Sequence, residues 1–238
     1  MTVLVDLWQW LADASRWQGA NGIPTRVWEH LGYSVGATLV AMAITLPVAF
    51  WIGHTGKGGL LAVNVANIGR AVPTFGLILA AFVVFGLNLT PVYIALVLMA
   101  VPPILTNAFV GIREVDPEVR EAAEGMGMTG WQVLWRVEIP VALPLIMTGI
   151  RTSAVQVVAT ATLAAFVGLG GLGRYIIDGL AQGAQTNPRA RSMVIVGSVL
   201  VAALAVATEL LLDRVERLVV PRPLATETHE VHAEPAAT

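Results

Sequence analysis

Residues 33–52 read YSVGATLVAMAITLPVAFWI, twenty positions without a charge. A helix of that length rises about 1.5 Å per residue and crosses about 30 Å, the thickness of a bilayer's hydrocarbon core. Tyr33 and Trp51 stand at its two ends, where amphipathic rings settle at a membrane surface. Outward from this stretch, the next uncharged run, Phe75 to Val110, is long enough for two passes. The whole chain agrees: of 238 residues, 56% are hydrophobic and 13% charged, and the mean hydropathy is +0.73. A soluble domain covers its surface with about 25% charged residues. The sequence therefore reads as an all-α integral membrane protein.

Five spans are predicted. The first is 33–52. A second helical stretch opens near Leu60, is interrupted by Arg70 and Pro73, and spans over Thr74–Phe85; the others are 93–110, 145–167 and 193–212. Before them, Leu4, Leu7, Trp8 and Leu11 share a helical face that Asn21, Gly22 and Pro24 bring to an end, which suits an interfacial segment over 1–30. No basic n-region precedes it and Asp6 lies within it, so no cleaved leader is expected. The membrane domain is placed at 31–220, with a charged loop at 111–144. A tail at 221–238, rich in Pro, Ala, Thr and Glu, is expected to be disordered on the cytoplasmic side. Lys57, Arg113, Arg120, Arg136, Arg214, Arg217 and Arg222 fall on one side, and Arg16, Arg26, Arg174, Arg189 and Arg191 on the other. The bias sets the N-terminus outside and the C-terminus inside.

The loop at 111–144 carries the clearest local signals. Asp116-Pro117-Glu118 combines an N-cap, a proline at the first helical position and an acid in the first turn. Val119, Ala122, Ala123 and Met126 then share a face, Gly127 stops the helix, and Thr129 to Gln132 reads as a capping box opening a second short helix. Pro140 and Pro144 are expected to turn the chain back to the membrane. On physics alone, such a connector serves equally as a force-bearing handle or as an amphipathic segment resting on headgroups.

Glu121-Ala122-Ala123, Gly127, and then Val137, Ile139 and Pro140 resemble the E-A-A loop of permeases in binding-protein-dependent ABC importers. Val137 and Ile139 stand where that motif usually has Ile and Leu. The resemblance runs from about Leu31 to Pro221 and implies the five-helix fold of type I ABC importer permeases in a bacterial inner membrane. It implies that these seven residues couple to a cytoplasmic ATPase subunit, with ATP and magnesium used there and no cofactor bound by this chain. A second permease subunit, identical or paralogous, and an external solute-binding protein complete the implied assembly. Asn67 to Pro73, Gln156 to Thr162, and Phe166 to Gly173 look most like the osmoprotectant subgroup, which imports glycine betaine, choline, carnitine or related compounds. Methionine permeases share the five-span core, so the solute stays open.

Gln156, Thr160 and Thr162, among Ala154, Ala159, Ala161 and Ala165, are candidate pathway residues. Close helix packing is the competing reading. Gly168 to Gly173 fits a dinucleotide-binding pattern but follows a membrane helix rather than a strand, which excludes that use. It is either a plain helix break or a turn that closes over the pathway. Arg70, Arg151 and Glu209 lie in or beside spans and are expected to snorkel, pair or face water, with snorkelling preferred to substrate contact for Arg70 and Arg151 near the inner boundary. His30 and His54 look isolated, and His229 and His232 lack further ligands, so no metal site is expected. With no cysteine anywhere and no histidine or paired carboxylates inside the spans, there is no catalytic centre to assign. A net charge of -2 gives no reason to expect nucleic acid. A channel or secondary transporter is the less favoured alternative: it predicts an ion-coupling acid deep in a span and transport without ATPase partners, whereas the loop predicts dependence on them.

Overall fold

The computed structural model describes residues 3–59, 64, 68, 73–86 and 88–220. Every regular element among them is helical. In chain order these are α1 (Val3–Ala12), a 3-10 turn (Ala14–Trp17), α2 (Ile23–Thr55), α3 (Thr74–Phe85), α4 (Leu89–Arg113) and α5 (Pro117–Gly125). They continue with α6 (Gly130–Val133), a π-helical turn (Leu134–Glu138), α7 (Ile139–Thr160), a 3-10 segment (Ala161–Val167), α8 (Gly173–Ala181) and α9 (Pro188–Val219). The stretch before α3, including Asn67 and Arg70, and the tail with His229 and His232 lie outside the described residues.

Among the described residues, four helical stretches are long and apolar enough to cross a membrane: Ile23–Thr55, Leu89–Arg113, Gly130–Val167 and Pro188–Val219. α3 has 12 residues with an apolar sequence throughout. α2 already starts at Ile23, before the uncharged run opens at Tyr33. Its first turns tolerate charge because Arg26 pairs with Glu29 at 2.9 Å and the buried His30 ring donates to the Val158 carbonyl at 2.8 Å. His30 is thus not isolated.

Packing sorts the spans into two directions. One core cluster joins Ala37 and Ala41 of α2 to Val92, Leu96 and Ala100 of α4 and to Val157, Ala161 and Ala164. The other joins Ala49 and Ile52 to Leu105, Ala108 and Ile112 and to Ala142, Ile146 and Ile150. α2 and α4 therefore run parallel, and α7 runs against both. Such close approach relies on small residues, since apolar lipid gives helices no hydrophobic reason to associate. A Cβ at Gly149 would stand 2.8 Å from Asn107 Cβ and 2.9 Å from the Pro103 carbonyl.

One expectation about the connections is corrected and one helix is added. Pro140 and Pro144 do not end the short helix after Thr129: helix runs without a break from Gly130 to Val167, with Pro140 in the first turn of α7 and Pro144 inside it. A proline lacks the N–H that a helix interior needs and crowds the carbonyl four residues back. The preceding turn widens instead, so that Ile139 N–H donates to Leu134 O, five residues away. The addition is α8, which lies within the polar, glycine-rich connection between the last two spans, where the sequence reading assigned no helix. It packs beside α9, with Tyr175 buried edge-on against Trp10 at 5.6 Å and Gly179 under Ala190 and Val194.

Replacing Gly149 with valine should overpack the α4–α7 contact and lower stability by about 1–3 kcal/mol. Heating purified protein and measuring the fraction that still elutes as a symmetric species checks this. Gly125→Ala, at a position with open space around it, should leave that fraction unchanged or raised.

Candidate functional site

The loop between α4 and α7 folds as its local chemistry dictates. Asp116 caps α5 by accepting from Glu118 N at 2.8 Å, and Pro117 occupies its first turn. Thr129 and Gln132 form a reciprocal capping box that opens α6. Between them Gly127 takes φ +85° with nothing near its missing side chain, a backbone shape that glycine adopts freely and other residues do not. α5 ends at Gly125, just before that turn.

Of the seven motif positions, Glu121, Ala122 and Gly127 are exposed, Ala123 is buried, and Val137, Ile139 and Pro140 are half-buried at the base. The structure therefore separates them into an exposed tip and a packed root. What joins the two is a residue the sequence reading passed over. Glu138 is 1% exposed. Its Oε2 accepts from His54 Nδ1 at 2.7 Å, and its Oε1 lies 3.1 Å from Arg120 Nε. Arg120 also donates through Nη2 to the Ile112 carbonyl near the end of α4. One carboxylate thus ties the end of α2, helix α5 and the π-helical turn together, with α4 attached through the same arginine. A buried charge is tolerable only when paired and hydrogen-bonded, and each oxygen here has a partner. His54 is therefore a bonded residue, and Gly130 packs against it: a Cβ there would meet His54 Nε2 at 3.2 Å.

The pathway candidates lie on α7 and just beyond. Gln156 is exposed although it sits in the middle of a span, and Thr152, one turn before it, is exposed as well. Thr160 continues the same stripe, half-buried, with its hydroxyl 3.4 Å from Met99 Sδ. Thr162 bonds back to Ala159 O at 2.8 Å within the 3-10 segment. Close packing accounts for the opposite face, where Ala154, Val157, Val158 and Ala161 are buried and Ser153 donates to Ala100 O at 2.8 Å. It does not account for Thr152 and Gln156, which no other part of the described chain covers. Thr152 was legible as the position four before Gln156.

Beyond the 3-10 segment, the glycine-rich turn is pinned to the start of α2. Glu29 accepts from Gly171 N at 2.7 Å while paired with Arg26. Any side chain at Gly170 would run into the Glu29 carboxylate. At mid-span, Arg151 does not snorkel. It pairs with Glu209 at 3.3 Å, Asp213 at 3.6 Å and Glu216 at 3.2 Å, which line one face of α9. Pairing replaces snorkelling because α9 supplies three carboxylates at helical spacing within reach. No cluster of potential metal ligands occurs among the described residues.

Residues 32–221 match the pattern of the family described as binding-protein-dependent transport system inner membrane component. This chain belongs to that family, and it is a multi-pass transport subunit of the inner membrane. It is 33% identical over 207 residues to the carnitine transport permease protein OpuCB of Listeria monocytogenes, covering 87% of this chain and 92% of that protein. It is 36% identical over 196 residues to the glycine betaine/carnitine/choline transport system permease protein OpuCB of Bacillus subtilis, covering 82% and 88%. Among solved structures, the inward-facing MetNI methionine ABC transporter superposes with a TM-score of 0.67 at 23% identity over 82% of this chain and 95% of that one. That likeness establishes the type I ABC importer permease fold.

Replacing Glu138 with alanine would leave Arg120 unpaired in a largely dry site. The expected loss is on the order of 3 kcal/mol, the low end for breaking a buried pair, because the Arg120 side chain keeps 20% of its surface exposed. Glu138→Gln, which keeps the shape and one acceptor, should lose less. Thermal unfolding of the two purified variants beside the parent protein measures the difference.

Proposed function

We propose that this chain is the permease subunit of an ATP-driven importer of small osmoprotectant solutes such as glycine betaine, carnitine or choline. The observation that carries the reading is the loop: an exposed tip at Glu121, Ala122 and Gly127 on a root locked by Glu138. Such a part passes displacement from outside the membrane into α2 and α7 without deforming. The solute class rests on the relatives named for carnitine, choline and glycine betaine transport, which match more than four fifths of the chain. Likeness to a methionine transporter speaks for the fold alone.

In this account the N-terminus is outside and the C-terminus inside, and two permease subunits, identical or paralogous, enclose the pathway. A cytoplasmic ATPase subunit holds each loop, and an external binding protein delivers the solute. ATP and magnesium act in the ATPase, not in this chain. Closure of the ATPases draws the two loops together, and Glu138 carries the movement into the spans. Thr152, Gln156 and Thr160 face the pathway, where weakly polar groups pass a small zwitterion without trapping it. Water in the pathway also removes the cost of leaving Gln156 uncovered in hydrocarbon.

Glu121→Ala and Gly127→Val are expected to insert at parental abundance and to uncouple, so that solute uptake falls while ATP hydrolysis continues. Valine at Gly127 forces a left-handed backbone that costs about 1–2 kcal/mol. Uptake and hydrolysis measured together in proteoliposomes decide it, and parental uptake in both variants contradicts the coupling role.

A further inference from the structure

A groove of about 580 Å³ runs along α2 and is closed at one end by the loop. Leu39, Met42, Leu46, Phe50 and Trp51 form its length, and Trp131, Leu134 and Trp135 its floor beside His54. From Leu39 to His54 the helix advances about 22 Å, which is the depth of one bilayer leaflet with its headgroups, about 20–22 Å. Its aromatic residues collect at the loop end: Trp131 and Trp135 meet with tilted rings at 5.4 Å, and Phe50 meets Trp135 edge-on at 6.3 Å. Tryptophan concentrates at the headgroup level of a membrane, so the groove has a wet end and a dry end. At the wet end stand three exposed cations. Lys57 lies in the turn just past the end of α2, the Arg113 guanidinium packs against Gly56, and Arg136 adjoins Trp135 in sequence. No lining residue is acidic, and Glu138 nearby is already engaged by His54 and Arg120.

We infer that this groove is a binding site for one anionic phospholipid of the leaflet on the loop side, with an acyl chain along α2 and the phosphate among Lys57, Arg113 and Arg136. Length, apolarity and basic mouth together fit a lipid, and the charge selects an anionic one. The seat adjoins the turn that holds Glu138, so occupancy steadies the root of the loop.

The full-length chain in bilayer discs of phosphatidylcholine, doped with acyl-brominated phosphatidylglycerol or the same fraction of acyl-brominated phosphatidylcholine, tests this through tryptophan quenching. Brominated phosphatidylglycerol should be enriched at the site at least about fivefold, the factor one basic side chain near a membrane surface supplies, and should quench correspondingly more. Trp131→Phe with Trp135→Phe should abolish that excess. Lys57→Gln with Arg136→Gln should bring the two lipids level, leaving quenching by phosphatidylcholine as it was. Equal quenching by both lipids in the parent protein overturns the inference. So does a disulfide-linked dimer formed on oxidising the Ala43→Cys variant of this cysteine-free chain, because a second copy would then fill the groove.

Discussion

A carboxylate that is 1% exposed, with His54 on one oxygen and Arg120 on the other, sets the geometry on which the loop-side half of the molecule depends. Transfer of an ion from water into a protein interior is expensive, and the charge is stable only while both partners stay in place. Movement of α5 relative to α2 or to the π-helical turn would strand it. The three elements therefore move as a unit, and α4 follows through the bond from Arg120 to Ile112 O. The wide turn that brings Glu138 inward is in turn a consequence of Pro140, whose ring a regular helix has no room for.

The opposite end shows the same logic with weaker parts. Glu29 holds the glycine-rich turn by a backbone N–H, and His30 holds the Val158 carbonyl near the place where α7 winds down into a 3-10 segment. α2 thus grips the long α7 helix at both of its ends, near Glu138 and near Gly171. Between them the face with Thr152 and Gln156 is left open. A helix fixed at its ends and uncovered at its middle suits a part that moves as a rigid rod, as the proposed function requires.

Spans and caps were legible in the sequence because they rest on local rules: uncharged runs of about 20 residues, Asp116 before Pro117, and Thr129 with Gln132. α3 at Thr74–Phe85 was read with its observed bounds. The division of the loop's motif residues into an exposed tip and a packed root was not legible, because it depends on tertiary burial. Glu138 was missed because its partner His54 is 84 residues away and no periodicity links them. The partners of Arg151 were not legible for the same reason, its three carboxylates lying on another helix. α8 escaped because its burial depends on Gly179 and Tyr175 meeting α9 and Trp10, contacts that only tertiary packing supplies.

The central claim is that the tip around Ala122 faces the cytoplasm and is held there by an ATPase. The chain has no cysteine, so an Ala122→Cys variant carries one reactive thiol, and its labelling by a membrane-impermeant maleimide reads the claim directly. Reaction in inside-out vesicles but not in intact cells, and protection when the ATPase subunit is added to stripped vesicles, is the predicted result. Labelling from the outside of intact cells, or labelling that the ATPase leaves unchanged, would contradict it.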